Sequence, residues 1–149
     1  MTGHKFFAYV ALALTASVSV RAAQTPHATM NDFVGNWVVT DVVDYADISG
    51  GIPEAKRILG MTIAITPHSM SFDSETCKPN KGFTVKRIDT LSALKNQFGL
   101  RANETGLPAT TVVVDSDNCF AVFRMDAHRI VFGWDGIIVR ALPGSVRTR

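Results

Sequence analysis

Short runs in which apolar and polar side chains alternate recur along most of the chain, and this period of two is typical of half-buried β-strands. Asp135-Gly136, between two of the runs, is a strong signal for a two-residue hairpin turn. Runs at this spacing, mostly joined by short turns, predict an antiparallel barrel or sandwich. The eight runs are 37–45, 61–66, 69–73, 82–88, 109–115, 119–126, 128–134 and 137–142.

Two segments break the alternation and predict short helices. In 46–60, Pro53 suits the first turn of a helix, and an apolar stripe follows it. In 90–99, apolar residues recur at steps of three and four, Asp89 or Thr90 can cap the start of the helix, and Gly99 is placed to end it. The predicted fold class is therefore all-β with minor α: an eight-stranded antiparallel up-and-down barrel with two short helical insertions.

The N-terminus has the three-part layout of a secretory signal peptide. A basic start precedes the apolar run 6–20, and Val20-Arg21-Ala22 offers a cleavage site between small residues. A membrane anchor is the alternative, but 15 apolar residues are short for a span. We therefore expect an exported protein, periplasmic or secreted, with 1–22 as the signal peptide and no stable membrane insertion after cleavage.

Cleavage would change the charge of the protein. The whole chain carries a formal net charge of +2, and cleavage after residue 22 removes Lys5 and Arg21 but no acidic residue. The mature chain would then be neutral, which gives no electrostatic case for binding nucleic acid.

Cys77 and Cys119 are the two cysteines of the chain. An even number of cysteines in an exported protein predicts a disulfide. The alternative is a catalytic thiol, for which His68 is the nearby base in sequence. The export signal favours the disulfide.

The Gly35-Asn36-Trp37 triplet opens the first strand, and an exported chain of eight β-runs that begins this way resembles the lipocalins and the wider calycin group. It also resembles small exported bacterial proteins with a lipocalin-like fold. The resemblance implies that Trp37 lies near the closed end of the barrel and that Arg140, on the last strand, packs over its indole. The helical insertion at 90–99 departs from the family layout.

The resemblance also implies a domain organisation and a binding site. A flexible lead-in, 23–32, would precede a lipocalin-like β-barrel domain, 33–143, and a tail, 144–149. The loop 46–60 lies where a lipocalin carries the lid of its open end. The aromatic residues could line a pocket or fill a solid core. The candidate ligand-binding residues are Tyr45, Ile48, Ile52, Phe83, Phe123 and Phe132.

Signals for catalysis and metal binding are weak. The chain has no Gly-x-Ser-x-Gly or Ser-x-x-Lys motif, and its histidines are not paired at helical spacing. The acidic run 115–118 lacks the glycine and the distal glutamate of a calcium-binding loop, so a polar turn explains it better. Asp41 interrupts an apolar face; either it faces inward beside an arginine or a β-bulge turns it outward, and the bulge is favoured. We expect no enzyme activity, no cofactor and no metal site.

Two functions are consistent with these observations. The first is a non-enzymatic binding protein that holds a small apolar or amphipathic ligand inside a β-barrel. The alternative is a periplasmic or secreted inhibitor or immunity-type protein that binds a hydrolase, a role that calycin-like barrels have among periplasmic protease inhibitors. An exposed apolar loop, with Ile48, Ile52 and Ile58 as candidates, would favour the alternative, whereas a hollow interior would favour the first.

Overall fold

The computed structural model describes residues 27–100 and 104–144, so the predicted signal peptide and most of the predicted tail lie outside the described residues. Within them the chain is mostly β with two helices. The helices are α1 (Gly51–Ile58) and α2 (Thr90–Phe98), and a 3₁₀ turn, Met30–Asp32, precedes the first strand. The strands are β1 (Gly35–Tyr45), β2 (Thr62–Thr66), β3 (Ser69–Phe72), β4 (Glu75–Cys77), β5 (Thr84–Asp89), β6 (Thr110–Asp115), β7 (Val122–Arg124), β8 (Ile130–Trp134) and β9 (Ile137–Pro143).

The strands form one antiparallel sheet in the order β4-β3-β2-β1-β9-β8-β7-β6-β5. Each half of the chain is a run of neighbouring strands, and the pairing of β1 with β9 joins the two halves at the centre of the sheet. β4 and β5 are consecutive along the chain but lie at opposite edges. The prediction of a closed eight-stranded barrel is therefore wrong, because the described chain forms an open nine-stranded half-barrel.

Ring contacts between distant strands show how strongly the sheet curls. Phe72 on β3 and Phe132 on β8 are four strand spacings apart, which in a flat sheet would separate them by roughly 19 Å. Their ring centroids are 5.2 Å apart. The face of the sheet that carries both rings is therefore the concave one. Because side chains alternate along a strand, the residue before and the residue after each concave-facing residue point to the convex face.

Buried side chains fill the concave face, and α1 contributes to the same cluster through Ala55 and Ile58. We call this set the concave cluster. Its other members are Phe33, Trp37, Val39, Ile63, Ile65, Met70, Phe72, Val114, Val122, Ile130, Phe132, Ile137, Val139 and Ala141.

A second buried set, the convex cluster, lies on the opposite face beneath α2. Gly133 on β8 lets this helix approach closely, since a β-carbon there would lie 2.3 Å from the ring of Phe98. The helix is capped as predicted: Asp89 accepts a hydrogen bond from the Ser92 N–H, and Gly99 ends it with a positive φ of 73°. The members of the convex cluster are Leu94, Leu100, Leu107, Val113, Ala121, Phe123, Val131 and Ile138.

The link from β4 to β5 runs between the two unpaired edges of the sheet. This link lies against the β6–β7 turn, where the Asn80 N–H donates to the side chains of Asp117 and Asn118 at 3.2 and 3.1 Å. A disulfide joins Cys77, at the end of β4, to Cys119 in the same turn. The predicted disulfide is confirmed, and it joins the edge strand β4 to the β6–β7 turn in the other half of the sheet.

Candidate functional site

The six candidate ligand-binding residues do not converge on one pocket. Phe132 belongs to the concave cluster, whereas Phe123 belongs to the convex cluster on the other side of the sheet. Phe83 is half-buried against the concave cluster. Tyr45, Ile48 and Ile52 are exposed. Their role in binding a ligand stays a prediction, but the structure divides them between two buried clusters and one surface.

The cation over Trp37 is not the one predicted. Trp37 is buried, its indole N–H donates to the Phe33 carbonyl at 2.8 Å, and the guanidinium of Arg124 lies 5.7 Å from the centre of its ring. Arg140 lies between Val139 and Ala141, which both face the concave cluster. Because neighbours on a strand point to opposite faces, Arg140 points to the convex side, away from the indole.

Arg140 instead contacts Asp41, with 2.9 Å between Nη1 and Oδ1. The register of β1 against β9 shifts between Val39 and Asp41. This bulge turns Asp41 to the convex side, where it is paired with Arg140 across the two strands. The favoured interpretation of Asp41, an outward turn at a bulge, is confirmed. The carboxylate nevertheless has an arginine partner, Arg140.

A groove of about 460 Å³ lies beside the disulfide and is the first part of the candidate site. We call it the disulfide groove. Phe120 and Trp134 pack edge to face in its wall, with ring centroids 5.7 Å apart. Aromatic and thioether groups thus stand beside amide, ammonium and carboxylate groups, a mixture typical of binding sites. Its lining residues are Met70, Glu75, Thr76, Cys77, Lys78, Asn118, Cys119, Phe120 and Trp134.

A second hollow of about 340 Å³ is lined by Glu54, Glu75, Trp134 and Asp135. We call it the acidic hollow. It shares Glu75 and Trp134 with the disulfide groove, so the two lie side by side. Its lining includes acidic residues from three separate elements: α1, β4 and the β8–β9 turn.

One arginine orders part of this acidic surface. Arg57 on α1 binds Glu54, one turn away, and also Asp73 in the β3–β4 turn. These hydrogen bonds lower the pKa of Glu54 and of Asp73 below their ordinary values, so both carboxylates stay charged near neutral pH. Among the described residues no ion pair involves Glu75 or Asp135, which leaves the hollow with excess negative charge.

A loop after β1 carries the most exposed apolar side chains next to this hollow. The Ala46 N–H donates to the Gly136 carbonyl at 2.7 Å, and the Gly50 N–H donates to the Asp135 carbonyl at 3.0 Å. The carbonyl oxygen of Ile48 lies 2.0 Å from where a β-carbon on Gly136 would be, so only glycine allows this approach. The loop is thus fixed to the β8–β9 turn at both ends.

Two isoleucine side chains of this fixed loop and of the helix that follows it are exposed to solvent. Ile48 is 91% exposed, and Ile52, in the first turn of α1, is 63% exposed. Ile58, the third candidate for an exposed apolar surface, is instead fully buried in the concave cluster. We call Ile48, Ile52 and the residues between them the apolar loop.

The other polar clusters have structural partners. Asp115 binds Lys86 at 2.7 Å, and Asp117 accepts from the Asn80 N–H, which is consistent with the polar turn predicted for 115–118. Asp126 binds Arg129 and accepts from the backbone N–H of His128. Within the described ranges no three metal-ligating side chains come together, and no helix there is long and apolar enough to cross a membrane.

No protein-family model, no curated protein and no solved structure matches this chain. The structure therefore shows an antiparallel curled β-sheet with a disulfide, and no family is identified for the chain. Sequence reasoning identified Ile48 and Ile52 but missed Glu75 and Asp135. The Asp135-Gly136 turn was predictable, whereas its position beside Glu75, 60 residues earlier, depends on the curl of the whole sheet.

Proposed function

We propose that this protein is an exported, non-enzymatic binding module that blocks a hydrolase by inserting its apolar loop into a concave site on that enzyme. The observation that carries the proposal is the exposure of Ile48, at 91%, on a loop held at both ends by backbone hydrogen bonds. A protruding apolar side chain on a fixed loop is complementary to a cleft, and catalytic sites are concave.

The energetics favour such a contact. Burying an isoleucine side chain contributes roughly 1.5–3 kcal/mol. Because the loop is already fixed, binding costs less conformational entropy than ordering a flexible segment would. The predicted signal peptide and the disulfide together support a periplasmic or secreted location, where extracellular hydrolases are the available partners.

The test uses the chain from residue 23 onward and a panel of purified secreted proteases and glycosidases, with loss of turnover as the readout. We expect stoichiometric inhibition of at least one enzyme. Ile48→Asp should weaken that inhibition about tenfold or more, because a charge cannot enter an apolar cleft without losing its hydration.

Leu91→Asp is the matched control. Leu91 is 47% exposed but lies on α2, on the opposite face of the sheet. This variant should inhibit as well as the unaltered protein. A panel in which no enzyme is slowed, or in which Ile48→Asp inhibits equally well, would contradict the proposal.

The second candidate function is the binding of a small apolar or amphipathic molecule, as in lipocalins. A relationship to the lipocalins belongs to this second proposal. The disulfide groove favours it, since its 460 Å³ lies within the usual range of ligand pockets. A fluorescent fatty acid titrated into the protein should then quench or shift the emission of Trp134. If no apolar probe changes this emission, the alternative is eliminated.

A further inference from the structure

We propose that the outer edge of β5 binds an extended, acidic segment of a protein partner, which adds a strand to the open side of the sheet. The segment would place an apolar residue opposite Val85 and an acidic residue opposite Arg87. This site goes beyond the proposed function because it is a different surface. The apolar loop is held by the β8–β9 turn, whereas β5 is the last strand at one edge of the sheet.

β5 is paired on one side only. Within the described residues its strand partner is β6, and β4 lies at the opposite edge of the sheet. The Thr90 N–H, one residue beyond β5, donates to the Ala109 carbonyl at 3.0 Å and continues the same register. Because backbone groups of an antiparallel strand point alternately to its two neighbours, Val85 and Arg87 point theirs away from β6. Outside the β5–β6 ladder, no hydrogen bond in the described part of the chain uses the backbone of either residue.

Apolar side chains that are incompletely buried lie beside this edge. Phe83, Val85 and Val112 pack against the concave cluster but are only partly buried. β5 contains no fully buried residue, unlike its neighbour β6. Val112 lies directly opposite Arg87, so this apolar strip extends to the position of the arginine. A strand added beyond β5 would cover the strip, and an apolar side chain opposite Val85 would extend the concave cluster.

The charge of the edge indicates the charge of its occupant. Arg87 is exposed, and no ion pair among the described residues involves it. Its neighbour Lys86 points to the other face of the sheet and binds Asp115 at 2.7 Å. Opposite charges that face each other across two strands stabilise the pairing. A carboxylate opposite Arg87 is therefore the favoured cross-strand partner.

The same charges argue against a second copy of this chain as the occupant. If β5 paired antiparallel with itself, a register centred on the middle of the strand would place Lys86 opposite Lys86 or Arg87 opposite Arg87. Like charges directly opposite each other are destabilising, and cations on an edge strand are a common protection against self-pairing. An acidic strand from another protein would be attracted instead, and its backbone hydrogen bonds would supply affinity, as in other complexes where a peptide extends a sheet.

The first experiment uses a peptide designed for this edge, acetyl-Ser-Thr-Glu-Thr-Val-Thr-Ser-amide. In an antiparallel pairing its valine lies opposite Val85 and its glutamate opposite Arg87. The peptide is titrated into the protein while the backbone N–H signals of both residues are followed by NMR. We expect saturable downfield movement of both signals and slower exchange of both hydrogens with solvent, because each N–H gains an acceptor. No movement at saturating peptide would overturn the inference.

Two N-methylated forms of the peptide test for backbone pairing. One carries methyl groups on the glutamate and valine nitrogens, which face β5 in the proposed pairing. The other carries them on the two threonines that follow these residues, whose nitrogens face away. The first form should bind at least about tenfold more weakly than the unmodified peptide, whereas the second should bind as well as it does. Equal binding of the two methylated forms would show that no strand is added.

Variants of the protein then locate the site. Arg87→Glu should weaken binding of the peptide by about fivefold or more and should favour a version with lysine in place of glutamate. Lys56→Glu is the matched control, since it makes the same change of charge on α1. Equal weakening by both variants would indicate general electrostatic attraction and would contradict the site.

Val85→Pro tests the edge itself. It removes an N–H that faces away from β6, so the β5–β6 pairing should remain, as proline is tolerated on the open side of an edge strand. With the fold checked by circular dichroism, this variant should no longer show peptide-induced movement of the Arg87 signal. Full affinity in this variant would contradict the inference. If the Val85 and Arg87 signals of the unaltered protein move on concentrating it without peptide, β5 pairs with a second copy and the proposed occupant is wrong.

Discussion

Arg124, on β7, packs over the aromatic side chains at the start of β1 on the concave face of the sheet. Its guanidinium lies 5.6 Å from the ring centre of Phe33 and 5.7 Å from that of Trp37, and its Nη2 donates to the Ala127 carbonyl. Phe33 is fully buried and accepts the indole hydrogen bond. The start of β1 is thus held by a strand that is three places away in the sheet.

A double-mutant cycle tests this assignment. Trp37→Leu combined with Arg124→Met should show a coupling energy of about 0.5–1 kcal/mol, because each change removes the same cation–π contact. Trp37→Leu combined with Arg140→Met should be additive, since these side chains lie on opposite faces. Urea unfolding of the unaltered protein, the three single variants and the two double variants measures both. A coupling with Arg140 that exceeds the one with Arg124 would contradict the assignment.

At the scale of single residues, the interruption of the alternation at Asp41 was the signal for a bulge, but it did not locate the bulge or show which residues it moves to the other face. Strict alternation in β1 places Trp37, Val39, Asp41 and Val43 on one face. The bulge at Thr40 reverses the faces, so Val42 packs against the concave cluster and Asp41 points outward. A bulge has no reliable sequence signature, and the only signal here was a carboxylate on an apolar face. Which arginine lies over Trp37 depends on the strand order and register of the whole sheet, which the sequence does not show.

Among the elements, α2 shows how a short helix is fixed by packing and by a cap. Leu94 is fully buried in the convex cluster, whereas Leu91, on the same helix, is 47% exposed. Nine residues are too few for a stable isolated helix, so its order depends on this contact with the sheet. The two leucines therefore provide a matched pair for measuring that contact.

Leu94→Ala should lower the free energy of unfolding by about 2–5 kcal/mol, because it leaves a cavity beneath the helix. Leu91→Ala should change it by no more than about 0.5 kcal/mol, since the side chain is largely in water. Urea denaturation followed by circular dichroism measures both. Similar values for the two variants would show that α2 is not docked through Leu94.

The cap of α2 predicts a pH dependence. Hydrogen bonds from the Ser92 hydroxyl and backbone N–H lower the pKa of Asp89. Since the pKa is lower in the folded state, the cap stabilises the fold above the pKa of unfolded aspartate, about 3.9, and this contribution is lost as the pH falls further. Asp89→Ala should therefore be less stable than the unaltered protein at pH 7, with the difference narrowing below pH 4. A difference that is constant from pH 7 to pH 3 would contradict it.

Elements with a strong local signal were predictable. Both helices, the cap at Asp89, the helix end at Gly99 and the turn at Asp135-Gly136 formed as the sequence indicated. β4 was missed because it has only three residues, Glu75–Cys77. Its turn from β3 has positive φ at Asp73 and Ser74, and serine, unlike aspartate, is not a usual residue for that conformation. The ion pair of Asp73 with Arg57 connects this turn to α1, and no local pattern could reveal it.

For the whole molecule, the edge strands β4 and β5 are not paired with each other, and the disulfide links the two halves of the sheet instead. Cys77 ends an edge strand, and Cys119 lies in a turn near the other edge, so the bond holds the sheet in its curl. Hydrogen bonds of Asn118 to the Lys78 carbonyl and of Asn80 to the same turn reinforce this closure. The wall of the disulfide groove is formed at this junction.

Replacing both Cys77 and Cys119 by serine should therefore lower the free energy of unfolding by roughly 4 kcal/mol, since the bond closes a long loop. Urea unfolding with and without a reductant measures this value, and reduction of the unaltered protein should reproduce it. Fluorescence of Trp134, which lines the groove beside the bond, should also change on reduction. Unchanged stability after complete reduction would show that the bond does not hold the curl.

Whether the curled sheet closes into a barrel could not be predicted from the sequence. Counting strands predicted eight and therefore a barrel, but whether the last edges pair depends on how the 78–83 link runs, and that depends on tertiary contacts such as those of Asn80. For the same reason the candidate site was only half predictable. The isoleucines lie on one local loop, whereas the acidic hollow combines residues from α1, β4 and the β8–β9 turn.

The pairing of β1 with β9 has a consequence for how the molecule is made. The centre of the sheet joins residues about a hundred positions apart, such as Val39 and Ala141. Until the final strand has left the ribosome, β1 lacks one neighbour, and the concave cluster lacks Val139 and Ala141. Assembly must therefore wait until β9 has been synthesised, which makes folding slow and leaves the nascent chain dependent on protection against aggregation.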